Sequence, residues 1–354
     1  MSAELKQLRD RIDALDDRVL ELINERARLA QTIGHLKNNG PIYRPEREAQ
    51  VLRRLTGANA GPLPNSAVEL LFREVMSACR ALEQPLTVAY LGPEGTFSEA
   101  ATVKQFGQST QGMPVASIDE VFQAVDHGMA HYGVVPVENS TEGAINRTLD
   151  LLLSTPLNIC GEVMLRVRQN LLRREGALEG IRVVYSHAQS LAQCHGWLNQ
   201  HLPGAERISV ASNAEAARLA AGQADAAAIA GEIAAQHYDL RVVAPEIEDD
   251  ASNTTRFLVL GKDEAAPSGK DKTSLAVYAR NKPGSLMALI EPFARLGVGL
   301  SKLESRPARS GTWEYVFFID LEGHHRDAKV AEAMHQPAEH ALSLKLLGSY
   351  PVAL

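Results

Sequence analysis

The sequence predicts a multidomain protein: an all-α segment at 1–85, an α/β segment at 86–261 and a small α+β segment at 273–354. Three observations predict this. Apolar residues recur every seventh position through the first segment, and short β-rich runs alternate with helical stretches through the second. The third reads strand, helix, strand, strand, helix, strand.

In the first segment Leu5, Ile12, Val19, Arg26 and Ile33 form one series at a spacing of seven. Leu8, Leu15, Leu22, Leu29 and Leu36 form another. Together they make the a/d seam of a coiled coil. A helix from Glu4 to Lys37 would be roughly 50 Å long at 1.5 Å per residue. Pro45 is placed to open a second helix at its N1 position. A third should run from Ser66 to Glu83, opened by a capping box between Ser66 and Glu69. These two short helices cannot cover so long a stripe. A second copy lying antiparallel along the first would, so a helical homodimer, or a higher oligomer built on it, is expected.

TVAYL (87–91), YGVVPV (132–137), IRVVY (181–185), AAIA (227–230) and RFLVL (256–260) read as strands of parallel sheets with helices between them. Their number allows two lobes with a cleft. GKDEAAPSGKDK (261–272) has the composition of a linker. Beyond it come a strand at 274–279, a helix at 286–296, strands near 299–305 and 313–320, a helix near 327–336 and a strand at 344–350. That is the ferredoxin-like order. A self-contained last domain implies that a chain ended near Gly261 keeps whatever chemistry precedes it.

Bulk composition narrows the function classes. The net charge of −7 is spread over 354 residues, which argues against nucleic-acid binding. Cys79, Cys160 and Cys194 form no CxxC pair and read as reduced thiols of a cytoplasmic protein. MSAELKQLRDRIDALDD is charged from its first turn, and no run approaches the roughly 18 apolar residues of a membrane span. The histidines show no metal-ligand spacing, and no Walker loop, GxSxG or dinucleotide fingerprint occurs. No metal or cofactor is expected.

Polar residues in unusual places mark candidate sites. Arg26 sits on the seam among aliphatic residues, either as a register-setting polar residue or as a cation that requires an anion. Arg9 and Lys37 flank the seam at opposite ends, Arg47 and Glu48 come with the turn IYRPERE (42–48), and Glu83 extends the apolar face of the third helix. Cations and a carboxylate in a helix-lined interior suit a small dianionic substrate. In the second segment four polar clusters interrupt the pattern: GPEGTFSEAA (92–101), PVENSTEG (136–143), SHAQSLAQC (186–194) and NTTRF (253–257). The first three stand beyond strand ends, where α/β sheets bind ligands. Each alone is also an ordinary cap or turn.

LRDRIDALDDRVLELINERARLAQTIGHLK, YRPEREAQVL and FREVMSACRALE together resemble the all-helical chorismate mutase family. The resemblance implies that Arg26 and a partner chain's Arg9 hold the substrate carboxylates. Lys37 and Glu83 would serve the ether oxygen, Glu48 the ring hydroxyl, and Arg47 would support the site. VVPVENSTEGAINRTLDLLL, YSHAQSLAQC and SNTTRFLVLG are similar to the prephenate dehydratase family. That implies two lobes like those of periplasmic binding proteins, with Thr255 central to catalysis. Glu138, Asn139, Ser140, Ser186 and Gln193 would line the cleft, Thr96 and Ser98 would stand across it, and either Arg256 or helix-start N–H groups would hold the substrate's pyruvyl carboxylate. NKPGSLMALIEPFARLGVGLSKLESRPAR resembles the ACT domain that follows prephenate dehydratases. Gly284, Leu286, Glu304, Ser305 and Arg306 would then form a site for L-phenylalanine as effector. Chorismate and prephenate are the substrates this resemblance implies, in two separate sites.

Overall fold

The computed structural model describes residues 3–36, 40–280, 282–307 and 314–353. The chain divides into two compact units. One comprises Met1–Arg44, Val51–Leu86 and Phe106–Gln111, the other Pro45–Gln50, Thr87–Gln105 and Gly112–Leu354.

In the first unit α1 (Ala3–Leu36) packs along α3 (Asn65–Glu83). Helix α2 (Pro45–Ala58), whose first turn is assigned to the other unit, starts with Pro45 as expected. The capping box does not form. Helix α3 begins at Asn65, so Ser66 already lies in its first turn, and Pro64 O accepts the N–H groups of Ala67 and Val68. No residue of α1 is buried in the single chain. Its seam stays open, with Leu15 at 55% and Leu22 at 60% exposure. Fully burying one such side chain is worth about 1.5–3 kcal/mol, so a stripe of them is a strong demand for a covering surface.

The second unit holds three sheets. The first contains β1 (Thr87–Leu91), β2 (Gln111–Val115), β3 (Tyr132–Asn139), β4 (Gly143–Ala144), β5 (Asn158–Arg166) and β11 (Thr254–Gly261), in the order β2-β1-β3-β11-β5 with β4 beside β3. Helices α4 (Phe97–Phe106), α5 (Ile118–Asp126) and α6 (Asn146–Ser154) connect its strands. The second sheet contains β6 (Asn170–Arg173), β7 (Val183–Ser186), β8 (Glu206–Ser209), β9 (Ala226–Ala230) and β10 (Arg241–Ala244), ordered β10-β6-β9-β7-β8. Its helices are α7 (Ala188–Gln193), α8 (His195–His201), α9 (Asn213–Ala221) and α10 (Glu232–His237).

The expected parallel pairing is only part of the picture. β1–β3, β7–β8 and β7–β9 are parallel, but β11 runs antiparallel to both β3 and β5, and β6 antiparallel to both its neighbours. The cause is connectivity. The chain leaves the first lobe after β5 and returns after β10 at the same end of the sheet, with Thr254 opposite Arg166, so β11 runs back against β5 and β3.

The third sheet contains β12 (Asp271–Arg280), β13 (Leu300–Pro307), β14 (Glu314–Glu322) and β15 (Ser343–Pro351), ordered β13-β14-β12-β15 and antiparallel throughout. Helices α11 (Ser285–Arg295) and α12 (Ala328–His340) complete the ferredoxin-like order. This sheet is not a free-standing domain. Ala276, Val316, Phe318, Leu347 and Tyr350 share one core with Val135, Val137, Leu258 and Leu260 of the first lobe. Strand β15 lies against β5, and only glycine allows the approach. A Cβ on Gly348 would stand 2.1 Å from the carbonyl oxygen of Ile159, and its φ is +151°. The stretch at 261–272 is correspondingly no loose linker. Ala265, Ser268 and Asp271 are buried, and Asp271 accepts the backbone N–H of Ser268 at 2.8 Å.

Candidate active sites

The pairing of β11 with β3 decides which motif residues share a face. Thr255 stands opposite Asn139, and Arg256 opposite Glu138. Side chains alternate across a strand, so the first pair projects to one face of the sheet and the second pair to the other. The register shifts just after Arg256, a bulge of the kind often found beside functional sites.

On the Thr255 face the geometry is tight. Asn139 Nδ2 donates to Thr255 Oγ1 and to Asn253 Oδ1, both at 2.9 Å. Its Oδ1 accepts from the N–H groups of Thr141 and Glu142 and from the Thr141 hydroxyl. Those backbone donors fix which way the amide points. Ser140 Oγ accepts the N–H of Thr254 at 3.0 Å, which ties this turn to β11.

A second polar cluster lies in the other lobe. Ser186 Oγ donates to Ile229 O at 2.8 Å and meets Asn213 Oδ1 at 3.0 Å. Ser190 joins Asn213, and Gln169 Nε2 donates to Ser190 Oγ and to Gln193 Oε1. The two clusters meet at the crossovers. Val167 N–H donates to Asn253 O, and Gln169 is two residues further on, a span of at most about 7 Å. In the first lobe Thr96 Oγ1 donates to Leu91 O, and Ser98 is buried at the start of α4. Gly95, with φ +86°, brings this loop against Ala234 of α10, and Glu99 bonds His237 at 2.8 Å.

Arg256 and Glu138 are not in this site. The Arg256 guanidinium is buried and bonded to Glu162, Asp320 and Tyr350. Glu138 accepts from Lys302 Nζ at 2.8 Å. The expected substrate contact of Arg256 and the cleft position of Glu138 are thus replaced by contacts to the third sheet. Strand alternation, hidden when the motif is read as a string, is the reason.

In the helical unit Arg9 is exposed near one end of α1 and Arg26 is half-buried. Glu83 rests on Gly34 near the other end, where a Cβ would come within 2.5 Å of Glu83 Cγ. A cavity of about 200 Å³ lies there, lined by Gln31, His35, Ile42, Leu82 and Glu83 among others. Arg9 and Gly34 are about 37 Å apart along a helix rising 1.5 Å per residue, so one chain cannot bring Arg9 to Glu83. Lys37 lies outside the described residues. At the start of α2, Arg47 is exposed and Glu48 buried.

In the third sheet Gly284 caps α11 with φ +82°, and Leu286 is 38% exposed. Glu304 and Arg306 stand opposite Phe318 and Val316, on the face turned to the first lobe, while Ser305 stands opposite Phe317 on the other face. Arg306 bonds Asp150 at 2.9 Å and Asn146 O at 3.0 Å. The 304–306 motif is therefore divided between two faces, and its arginine is held by α6 of its own chain.

The residues missed in the sequence are Gln169, Ser190, Asn213 and Asn253. Asn253 stood in view inside NTTRF. Asn213 follows Ser212, whose hydroxyl caps α9, and reads locally as an ordinary first-turn residue.

A cation-bearing helical unit, a two-lobed unit with hydroxyl and amide clusters, and an appended ferredoxin-like sheet fit a multifunctional enzyme. Family models match in that order: chorismate mutase type II over 8–84, prephenate dehydratase over 88–265 and the ACT domain over 273–336. The bifunctional chorismate mutase/prephenate dehydratase of Neisseria gonorrhoeae is 54% identical, over 98% of this chain and 96% of that one. The prephenate dehydratase of Arthrobacter aurescens, solved in complex with L-Phe, is 33% identical with a TM-score of 0.69, over 75% of this chain and 90% of that one. A structure described as a quorum quenching acylase, GqqA, is 27% identical with a TM-score of 0.70, over 75% of this chain and 98% of that one. Fold likeness alone does not assign chemistry, whereas identity along nearly the whole length does. The chain belongs to the bifunctional chorismate mutase/prephenate dehydratase family of phenylalanine biosynthesis, and it carries both activities. No described helix is long and apolar enough to cross a membrane.

Proposed function

We propose that 1–85 rearranges chorismate, that 86–261 converts prephenate to phenylpyruvate at Thr255, and that 273–354 senses L-phenylalanine in a cytoplasmic homodimer. The observation that carries the dehydratase reading is the Asn139–Thr255 hydrogen bond. The amide occupies a lone pair of Thr255 Oγ1, so the hydroxyl proton is directed elsewhere, toward a bound substrate. Prephenate loses its ring carboxylate as CO2 and its ring hydroxyl as water, taking up one proton, and the ring becomes aromatic. Thr255 hydrogen-bonds the departing hydroxyl. A cation on the ring carboxylate would favour the ground state over a transition state in which that charge disperses. Neutral donors such as Ser140 and Gln193 orient it without that bias, whereas Ser186, expected to line the cleft, is fully buried and gives its one proton to Ile229 O. With Arg256 engaged elsewhere, the N–H groups at the start of α4, beside Thr96 and Ser98, suit the pyruvyl carboxylate.

The mutase step breaks one C–O bond and forms one C–C bond without a nucleophile. Arg26 and the partner's Arg9 hold the carboxylates, Lys37 and Glu83 donate to the ether oxygen, Glu48 takes the ring hydroxyl, and Arg47 supports the site. The exposed α1 seam and the span between Arg9 and Glu83 support a site completed by a second chain. The L-Phe bound to the Arthrobacter aurescens relative supports phenylalanine as effector, near Gly284, Leu286 and Ser305. A product time course from chorismate, with and without L-phenylalanine, tests the reading. Prephenate followed by phenylpyruvate, both suppressed or slowed by the effector only at the second step, is expected. Absence of phenylpyruvate would refute it.

A further inference from the structure

Arg256 draws together charges from two domains. Its Nε donates to Glu162 of β5 at 2.8 Å, one terminal nitrogen donates to Asp320 of β14 at 2.6 Å, and the other donates to the Tyr350 hydroxyl of β15 at 2.9 Å. Lys272 of β12 crosses back to Glu162 at 2.8 Å, and Lys302 of β13 to Glu138. Three cations thus face three carboxylates, and each domain supplies both signs. Ser274 donates to Asp320 at 2.5 Å, which completes that carboxylate's shell. Burial disfavours the charged guanidinium, yet Tyr350, Asp320 and Glu162 raise its pKa above the ordinary value. Three guanidinium N–H groups of Arg256 are thus bonded within the protein, and the residue is buried.

The neighbour of Arg256 on β11 is Thr255, and the neighbour of Glu138 on β3 is Asn139. The two residues that form the dehydratase pair are therefore each one peptide from a residue gripped by the sensor sheet. We infer that Asp320 and Tyr350, although in the sensor domain, are positioning residues for the dehydratase reaction. They hold Arg256, Arg256 fixes the pitch of β11, and the pitch sets the Asn139–Thr255 geometry. A buried charged pair has strict geometry and tolerates little displacement. Any shift of β14 or β15 when effector binds is then felt at Thr255, which makes this cluster the coupling between sensor and site. The inference rests on Thr255 as the reacting hydroxyl.

The test uses the full chain with Asp320→Asn and Tyr350→Phe, the second removing a single hydroxyl. Dehydratase kcat should fall on the order of tenfold in Asp320→Asn and less in Tyr350→Phe, with KM for prephenate little changed. The L-phenylalanine concentration for half-inhibition should move severalfold in both, while mutase activity stays at the wild-type level. Loss of kcat without any change in the inhibition curve would overturn the coupling. Wild-type kcat and wild-type inhibition in Tyr350→Phe would overturn the inference outright, including when Asp320→Asn does not fold. Thr255→Ala run alongside separates the two claims. If it stays active, the reading of Thr255 fails. If it is inactive while Tyr350→Phe behaves as wild type, only the link fails.

Discussion

Asn139 donates to the Thr255 hydroxyl at 2.9 Å across two antiparallel strands, and its amide is locked in that orientation by donors on its other side. Two stretches 116 residues apart thus build one hydrogen-bonding unit. Replacing Asn139 by Asp tests its polarity. A carboxylate cannot donate, so Thr255 would turn its proton toward residue 139 and away from substrate. Prephenate turnover should fall on the order of 10²-fold, the scale for losing one positioned donor. Unchanged kcat in Asn139→Asp would remove the amide from this role.

The third sheet should be needed for the dehydratase fold. Ending the chain near Gly261 would strip Leu258 and Leu260 of their cover and leave Arg256 without Asp320 and Tyr350. The composition of 261–272 alone suggests a removable domain, but the shared core argues otherwise. Gly348→Ala is the milder probe, since its Cβ would collide with the β5 backbone at Ile159. A loss of several kcal/mol is expected, about that of other strained or overpacked core sites. Thermal unfolding followed through dehydratase activity measures it, and a Tm equal to wild type would refute the packing.

Cys194 should be inert. Burial, reinforced by Asp249 and Glu248, pushes its thiol up to about 12. Below that pH the folded protein holds a protonated, unreactive thiol. Iodoacetamide at pH 8 should label Cys194 only after unfolding, as read by mass spectrometry. Because the folded pKa lies above the ordinary value of 9.0, this group contributes less to stability as pH climbs past about 9. Rapid labelling of the native protein would contradict the burial.

Glu83 should serve the mutase as a hydrogen-bond donor. A carboxylate only accepts hydrogen bonds, whereas the acid can donate to the ether oxygen as its C–O bond breaks. Mutase kcat/KM should be largely kept in Glu83→Gln, whose amide also donates, and should fall on the order of 10²-fold in Glu83→Ala. A loss in Glu83→Gln as large as that in Glu83→Ala would exclude the role.

How much of this was legible in the sequence depends on the range of the contact involved. The seam of α1 could be read because a helix repeats its own face, and the exposed leucines stand where the heptads placed them. The strands of the second segment were visible as β-rich runs, but the antiparallel return of β11 was not, since it follows from where the crossovers lead. The motif NTTRF marked Thr255 and Arg256 equally. Only the pairing of β11 with β3 separates them, sending the hydroxyl to Asn139 and the guanidinium to Asp320. Gln169 and Asn213 escaped because their partners are 24 and 23 residues away and no local pattern marks them. Gly348 looked like any strand-interior glycine until β5 was packed against it.

The central claim is that the Thr255 hydroxyl, and no cation, assists the departure of hydroxide from prephenate in a site separate from the mutase. Its most direct test is the rate of phenylpyruvate formation from prephenate in Thr255→Ala and Thr255→Ser, with chorismate rearrangement measured on the same preparations. Loss on the order of 10²–10³-fold in Thr255→Ala is expected, with recovery of much of the rate in Thr255→Ser and mutase activity equal to wild type in both. Substantial phenylpyruvate formation by Thr255→Ala, or loss of both reactions together in a folded protein, would contradict the account.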